Sequence, residues 1–130
     1  MEDRVAVLPP KPVVSIIETT LIREAIRLML EHNIGAVLIV DERGKLLGIF
    51  SERDLLKRVA GLDHAMDLPV GRFMTPRPMT VGPTETLNFV LHKMDGGGYR
   101  HVPVIEAGIP QTVLSARDML RHILKLCKDW

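Results

Sequence analysis

The chain has 130 residues, 46% of them hydrophobic and 25% charged, enough for one compact domain or for two small halves that share a core. Seventeen basic against sixteen acidic side chains leave a formal charge of +1, so no electrostatic surplus argues for nucleic acid or membrane as partner, and a small ligand or another protein is favoured. One cysteine, Cys127, excludes an internal disulfide framework, and the start MEDRVAVLPPKP puts charges and prolines where a secretory signal needs an apolar stretch; with no apolar run of about eighteen residues, a soluble, unprocessed, cytoplasmic protein is expected.

Leu21, Ile22, Ala25, Ile26, Leu28 and Met29 recur at helical spacing, with Arg23, Glu24, Arg27 and Glu31 mostly on the other side, which predicts an amphipathic helix over 20–33. The run IGAVLIV (34–40) reads as a buried strand, DERG as a turn and KLLGIF (45–50) as the returning strand. Ser51 suits an N-cap, with Asp54 three residues on and Leu55, Leu56 and Val59 behind it, so a second helix starts there. Gly and Pro then punctuate a connector over 61–81, for which one short helical turn and a short strand ending near Val81 are expected. A second round follows. Leu87, Val90, Leu91 and Met94 form a helical stripe, DGGGY a flexible bend, RHVPVI (100–105) a strand, EAG a turn, QTVL (111–114) a returning strand, and 115–126 a final helix.

The order of elements is the same twice, and residues match as well as elements. Val40 faces Val104, Gly44 faces Gly108, Ile49 faces Val113, and SERD (51–54) faces SARD (115–118), all at a shift of 64 (115 minus 51). The first helices match at 65 (87 minus 22 and 94 minus 29), which places a one-residue difference in DGGGY. An internal repeat of this length means units that bury their apolar faces by stacking on one another, with the division expected at 1–66 and 67–130.

A helix, strand, turn, strand, helix unit whose second strand runs through GIFSERDLL, repeated once, resembles the cystathionine β-synthase (CBS) domain pair, or Bateman module, over residues 13–125. The segments IGAVLIVDERGKLLGIFSERDLL, FMTPRPMTV and RHVPVI with VLSARDML carry the resemblance by their order and duplication. It implies an α+β fold of two pseudo-symmetric β-α-β-β-α repeats packed sheet to sheet, with a cleft at each end of the interface, and a homodimer. It also implies adenosine-containing ligands: AMP, ADP, ATP, an NAD-type cofactor or S-adenosylmethionine.

Each Ser-x-Arg-Asp is, at its simplest, a cap in which the Ser hydroxyl and Asp carboxylate accept from unpaired first-turn N–H groups. The second reading starts from adenosine, whose ribose cis-diol offers two adjacent donors to one carboxylate. The resemblance makes Ser51 and Asp54, and Ser115 and Asp118, ribose contacts. Arg53 and Arg117 sit at the positive end of a helix dipole, a poor place for an arginine unless it pairs with a phosphate. Arg100 and His101 face Ala36 and Val37 at the 64 shift; in related modules basic residues at the start of this strand meet phosphates, so the second half is expected to hold a nucleotide tail and the first a nucleoside alone. Ser15 and Thr80 occupy matching positions (80 minus 15 is 65) on the segments that line the base pocket in this family. Two departures bear on cleft width: Thr112 stands where the first repeat has Gly48, and Pro110 breaks the start of its strand.

The five histidines include no pair at i,i+4 with a glutamate between, no Cys or Asp cluster has metal-ligand spacing, and there is no Gly-x-Ser-x-Gly elbow. Neither a metal, a required cofactor nor catalysis is expected. The initiating Met and two complete repeats favour a stand-alone regulatory module that binds an adenine nucleotide and signals to an effector protein the sequence does not name. The alternative is a structural dimerisation module whose clefts stay empty.

Overall fold

In a computed structural model of the chain, residues 3–9 and 11–127 are described. They form two compact units, one made of Val13–Pro78, the other of the described residues of Met1–Pro12 and Met79–Trp130.

In the unit holding the first repeat, strand β1 (Ser15–Ile16) leads to helix α1 (Ile22–His32). Ile22, Ala25 and Met29 bury one stripe of α1. Asn33 ends it in the left-handed region at φ 51°, with its N–H on the carbonyls of Leu30 and Met29. Strands β2 (Ala36–Val40) and β3 (Leu46–Ser51) form an antiparallel hairpin, β1 pairs parallel with β2, and β4 (Thr75–Pro76) closes the far edge against β3. Ile22, Val37, Ile39, Phe50, Val59 and Val70 are its buried core. Helix α2 (Glu52–Asp54) widens at once into a π turn over Leu55–Val59, which buries Val59 and leaves Leu56 outside.

The other unit repeats this plan. Helix α3 (Leu87–Gly97) is capped by Thr86, whose hydroxyl accepts from the Phe89 N–H at 3.1 Å, and ends at Gly98 with φ 69°, the repeat position of Asn33 (98 minus 33 is 65). Two of the three glycines expected to form a bend therefore complete the helix. A Cβ at Gly97 would overlap the Tyr99 ring. Strands β5 (His101–Glu106) and β6 (Ile109–Ser115) form the hairpin, and helix α4 (Ala116–Leu126) follows. The strand expected to end near Val81 is a single bridge, Val81 with Val104, parallel as Ile16 is with Ile39. Pro110 does not break β6: it pairs with Ile105 beside a bulge, where the ladder tolerates a missing donor. Leu87, Val90, Val102, Val104, Leu114 and Met119 form this unit's core, with Val5 and Leu8 added from the N-terminal segment.

The registers correct the residue matching. Ala36 lies opposite Ser51 and His101 opposite Ser115; Val40 lies opposite Leu46 and Ile105 opposite Pro110. The outgoing strands thus correspond at 65 (101 minus 36) and the returning strands at 64 (115 minus 51), so Val40 matches Ile105, not Val104. The one-residue difference lies in the hairpin turns. The first is a three-residue turn, with Gly44 at φ 82° and the Asp41 carboxylate accepting from the N–H groups of Arg43 (2.8 Å) and Lys45 (3.0 Å). The second closes in two residues, Ala107 and Gly108, both at positive φ, the geometry of a type I′ hairpin.

The connector has more structure than its composition implies. A 3₁₀ turn at Val70–Arg72 docks on the start of α1: the Val70 N–H donates to the Thr20 carbonyl (2.7 Å), Gly71 to Glu18 (2.9 Å), and Ile22 to Leu68 (3.0 Å). The same turn at Val5–Val7 docks on the start of α3, with Val5 donating to Glu85 (2.9 Å), Ala6 to Pro83 (3.0 Å), and Leu87 to Asp3 (2.8 Å). Every equivalence is again 65 (70 minus 5). Each repeat's leading strap thus belongs to the compact unit of the other repeat, which is why the units divide at 12/13 and 78/79 while the sequence repeat suggests 66/67.

Candidate functional site

Both Ser-x-Arg-Asp segments form reciprocal capping boxes. The Asp54 N–H donates to Ser51 Oγ (3.4 Å), while the Ser51 N–H (2.9 Å) and hydroxyl (3.1 Å) donate to Asp54 Oδ2. In the second repeat the Asp118 N–H donates to Ser115 Oγ (3.1 Å) and the Ser115 N–H to Asp118 Oδ2 (2.9 Å). Each box holds its carboxylate by one oxygen at the first turn of a helix and points the other oxygen, Oδ1, outward.

The partners of Oδ1 separate the repeats. Asp54, 6% exposed, accepts from the Thr75 hydroxyl at 2.9 Å, and Arg58 Nε lies 3.8 Å away. The Arg58 guanidinium is itself held by the carbonyls of Phe73 (3.3 Å) and Met74 (3.1 Å). Asp118, with its side chain 14% exposed, instead forms an ion pair with Lys11, and Arg121 Nη1 lies at 3.6 Å. Burial pushes the Asp118 carboxyl up, but the bonds from Lys11 and Ser115 outweigh it and hold the group below its usual range. Lys11 is fixed through its backbone: its N–H donates to Thr112 Oγ1 (3.1 Å), whose hydroxyl donates back to the Lys11 carbonyl (3.2 Å). In the first repeat Gly48 stands at this position and β4 lies directly on it; a Cβ there would come within 2.6 Å of Met74 Sδ and 2.8 Å of the Thr75 carbonyl. The Thr112 side chain thus takes up the space that main chain fills beside Gly48.

The remaining expected residues are placed around these boxes unevenly. His101 opens β5 directly opposite Ser115, and the Arg100 carbonyl accepts from the Ala116 N–H at 2.8 Å, which sets both beside the second box. Their first-repeat counterparts are Gly35 and Ala36, not Ala36 and Val37, as the matching bond from Glu52 to Gly35 (3.0 Å) demonstrates. Arg53 and Arg117 are exposed one residue before each carboxylate. Ser15 is exposed on β1 opposite Leu38, and Thr80 is half-buried beside the Val81 bridge. A cavity of about 490 Å3 on α3, lined by Met79, Phe89, His92, Lys93 and Tyr99 with two glycines, includes none of the expected residues. Among the described residues no cluster of His, Cys, Asp and Glu suits a metal ion, and no helix is long and apolar enough to cross a membrane.

Sequence reasoning missed Lys11, Thr75, Arg58 and Arg121. One signal for the first two was present: a short segment with a cation between prolines, PPKP at 9–12 and TPRP at 75–78, precedes β1 and the Val81 bridge.

The family described as CBS domain matches residues 5–61 and again 70–125. An uncharacterized 17.7 kDa protein of Acidianus ambivalens is 34% identical over 104 residues, a match spanning 79% of this chain and 62% of that protein. A CBS domain-containing protein of Arabidopsis thaliana is 38% identical over 92 residues, where the match takes in 69% of this chain and only 17% of its relative. Among solved structures, a CBS domain protein from Pyrobaculum aerophilum complexed with AMP is 30% identical with a TM-score of 0.84, covering 97% of this chain and 99% of that one. The CBS domain pair of protein MJ0100 in complex with 5′-methylthioadenosine and S-adenosyl-L-methionine is 26% identical with a TM-score of 0.87, at 97% and 99% coverage.

Proposed function

The chain belongs to the CBS domain family, as a tandem pair, and we propose from that premise that it is a regulatory module that binds an adenosine-containing ligand and signals its occupancy to a partner protein. The observation that carries the reading is the second box: a carboxylate fixed by Ser115, with its outward oxygen engaged by a lysine that is itself half exposed. Such a carboxylate accepts a ribose diol once the lysine moves aside. His101 and Arg100, beside the box, suit a phosphate, and the order of preference is AMP, ADP or ATP, with S-adenosylmethionine or an NAD-type cofactor after them. The AMP-bound relative supports this choice of ligand class. The module acts as a homodimer: Leu120 and Leu124, one helical turn apart on α4, are 66% and 71% exposed, apolar side chains of the kind a second copy covers.

A second reading, a dimerisation module with empty sites, is favoured by one fact: both outward oxygens already have partners within the chain. Calorimetric titration with AMP, ADP, ATP and S-adenosylmethionine separates the two, with Asp118→Ala as control. Binding that Asp118→Ala weakens by about 1.5–3 kcal/mol, the scale of a charged hydrogen bond, supports ligand sensing. Dimers by light scattering with no heat from any ligand support the alternative.

A further inference from the structure

We infer that Lys11 makes the second-repeat site selective for nucleotides over nucleosides, by holding the carboxylate that a ribose needs until a ligand brings an anion to take the lysine in exchange. The inference rests on the ribose role proposed for Asp118. Lys11 belongs to the strap and not to the repeat whose carboxylate it pairs, and two independent contacts put it there: its ammonium on Asp118 Oδ1, and its backbone N–H and carbonyl on the Thr112 hydroxyl. The strap's other end is tied down as well, by Asp3 against His122 Nε2 at 3.0 Å and by the Leu87 N–H on the Asp3 carbonyl. The backbone bonds leave the long side chain free to swing while its origin stays fixed.

The charge accounting gives the selectivity. A neutral nucleoside that offers its diol to Oδ1 must displace the ammonium and returns nothing to it. A nucleoside monophosphate displaces it equally but supplies a dianionic acceptor nearby, so the cation keeps an ionic partner and the carboxylate gains two donors. No such exchange exists in the first repeat, where a neutral hydroxyl, Thr75, occupies Oδ1 and the nearest cation, Arg58, is committed to two carbonyls.

The test measures AMP and adenosine affinities from the Thr112 and Ser115 amide resonances, which report this site alone, in wild type, Lys11→Met and Lys11→Arg. Lys11→Met keeps the backbone bonds and most of the stem. It is expected to bind adenosine about threefold to tenfold tighter and AMP about tenfold weaker, while Lys11→Arg retains the wild-type preference. If Lys11→Met shifts both ligands by the same factor, or leaves both unchanged, the exchange is wrong although the ribose site stands. If neither ligand perturbs these resonances in any of the three proteins, the ribose reading of Asp118 falls and the selectivity with it.

Discussion

The two repeats solve one local problem, how to finish the edge of a sheet beside a capped carboxylate, in different chemistry. In the first, Gly48 lets β4 lie directly on β3, which carries Thr75 to Asp54, and the carboxylate is buried under a neutral hydroxyl. In the second, Thr112 keeps the equivalent segment at side-chain distance, binds it through its hydroxyl and positions Lys11 on a carboxylate that stays partly open. The helices behind the boxes differ in the same sense, since the π turn at Leu55–Val59 brings Arg58 back over the first site while α4 runs on regularly through eleven residues. The first site is built closed and the second is closed by a charge. Near-identical motifs therefore say little about accessibility, which is decided by the straps, and these come from elsewhere in the sequence.

Exchanging the two edge residues is the most severe way to break this comparison. Gly48→Thr places a Cβ within 2.8 Å of the Thr75 carbonyl, main chain that cannot rotate away, and is expected to destabilise by about 2–3 kcal/mol as β4 is pushed off. Thr112→Gly removes two bonds to Lys11 and adds backbone entropy, for a cost of about 1–2 kcal/mol. Urea unfolding of both variants decides the matter; equal costs would mean that the contrast between direct and side-chain-mediated edges has no energetic content.

Removing each carboxylate comes next. Asp54→Ala takes away the cap and leaves the half-buried Thr75 hydroxyl and Ser51 N–H without their acceptor, so a loss of about 2 kcal/mol is expected. Asp118→Ala loses the same cap in a more open place, where water replaces the missing partner, and about 1 kcal/mol is expected. That order is expected if Asp54 is chiefly structural and Asp118 is the residue open to a ligand, as proposed above. A larger stability loss at Asp118 would reverse that assignment.

How much of this was legible is itself uneven. The helical stripe of Ile22, Ala25 and Met29 and the two Ser-x-Arg-Asp boxes follow from spacing and were predicted where they occur. The one-residue offset falls in DGGGY when the helices are matched at 65 and both strands at 64, yet the outgoing strands also correspond at 65 and the offset lies between a three-residue and a two-residue turn. EAG reads as a turn, but with Ala107 where the type I′ signal has Asn or Gly it does not show that the hairpin closes in two residues. The strap exchange was hidden for a different reason: it is made largely of backbone bonds such as Val5 to Glu85 and Val70 to Thr20, which leave no pattern in side chains. Lys11 stayed invisible with it, since its partners Thr112 and Asp118 are about a hundred residues away in sequence.

A smaller effect tests the basic residues that only the second repeat has. Arg100 stands where the first repeat has Gly35, beside the Ser115 box. Arg100→Ala is expected to weaken AMP about fivefold and to leave adenosine unchanged, with the difference shrinking at high salt as the Debye length falls toward about 3 Å. Titration of both ligands at two ionic strengths checks it. Because Lys11→Met is expected to tighten adenosine and Arg100→Ala is not, the two variants would distinguish a cation that competes for the carboxylate from one that only attracts a phosphate. Equal losses for both ligands would mean that Arg100 shapes the site without meeting a phosphate.

The weakest expected effect is on acid stability, and it isolates the charge that closes the second site. The Asp118 carboxyl titrates below its ordinary value of 3.8: burial opposes the charged form, but Lys11 and Ser115 favour it more strongly. A carboxyl depressed in the folded state binds its proton more readily when unfolded, so it adds stability at pH values above the ordinary one and loses that contribution as pH falls through the lowered one. Lys11→Met removes one of the depressing partners. Its difference in stability from wild type is therefore expected to be present above the ordinary carboxylate value and to vanish as acidification passes the lowered one. The small size follows from the half-exposed ammonium, whose attraction is screened by solvent. Thermal melts of the two proteins across this range read the difference directly; a gap that stays constant down to the lowest pH would show that Lys11 holds the strap by packing and hydrogen bonds alone, and that the second site is closed by shape like the first.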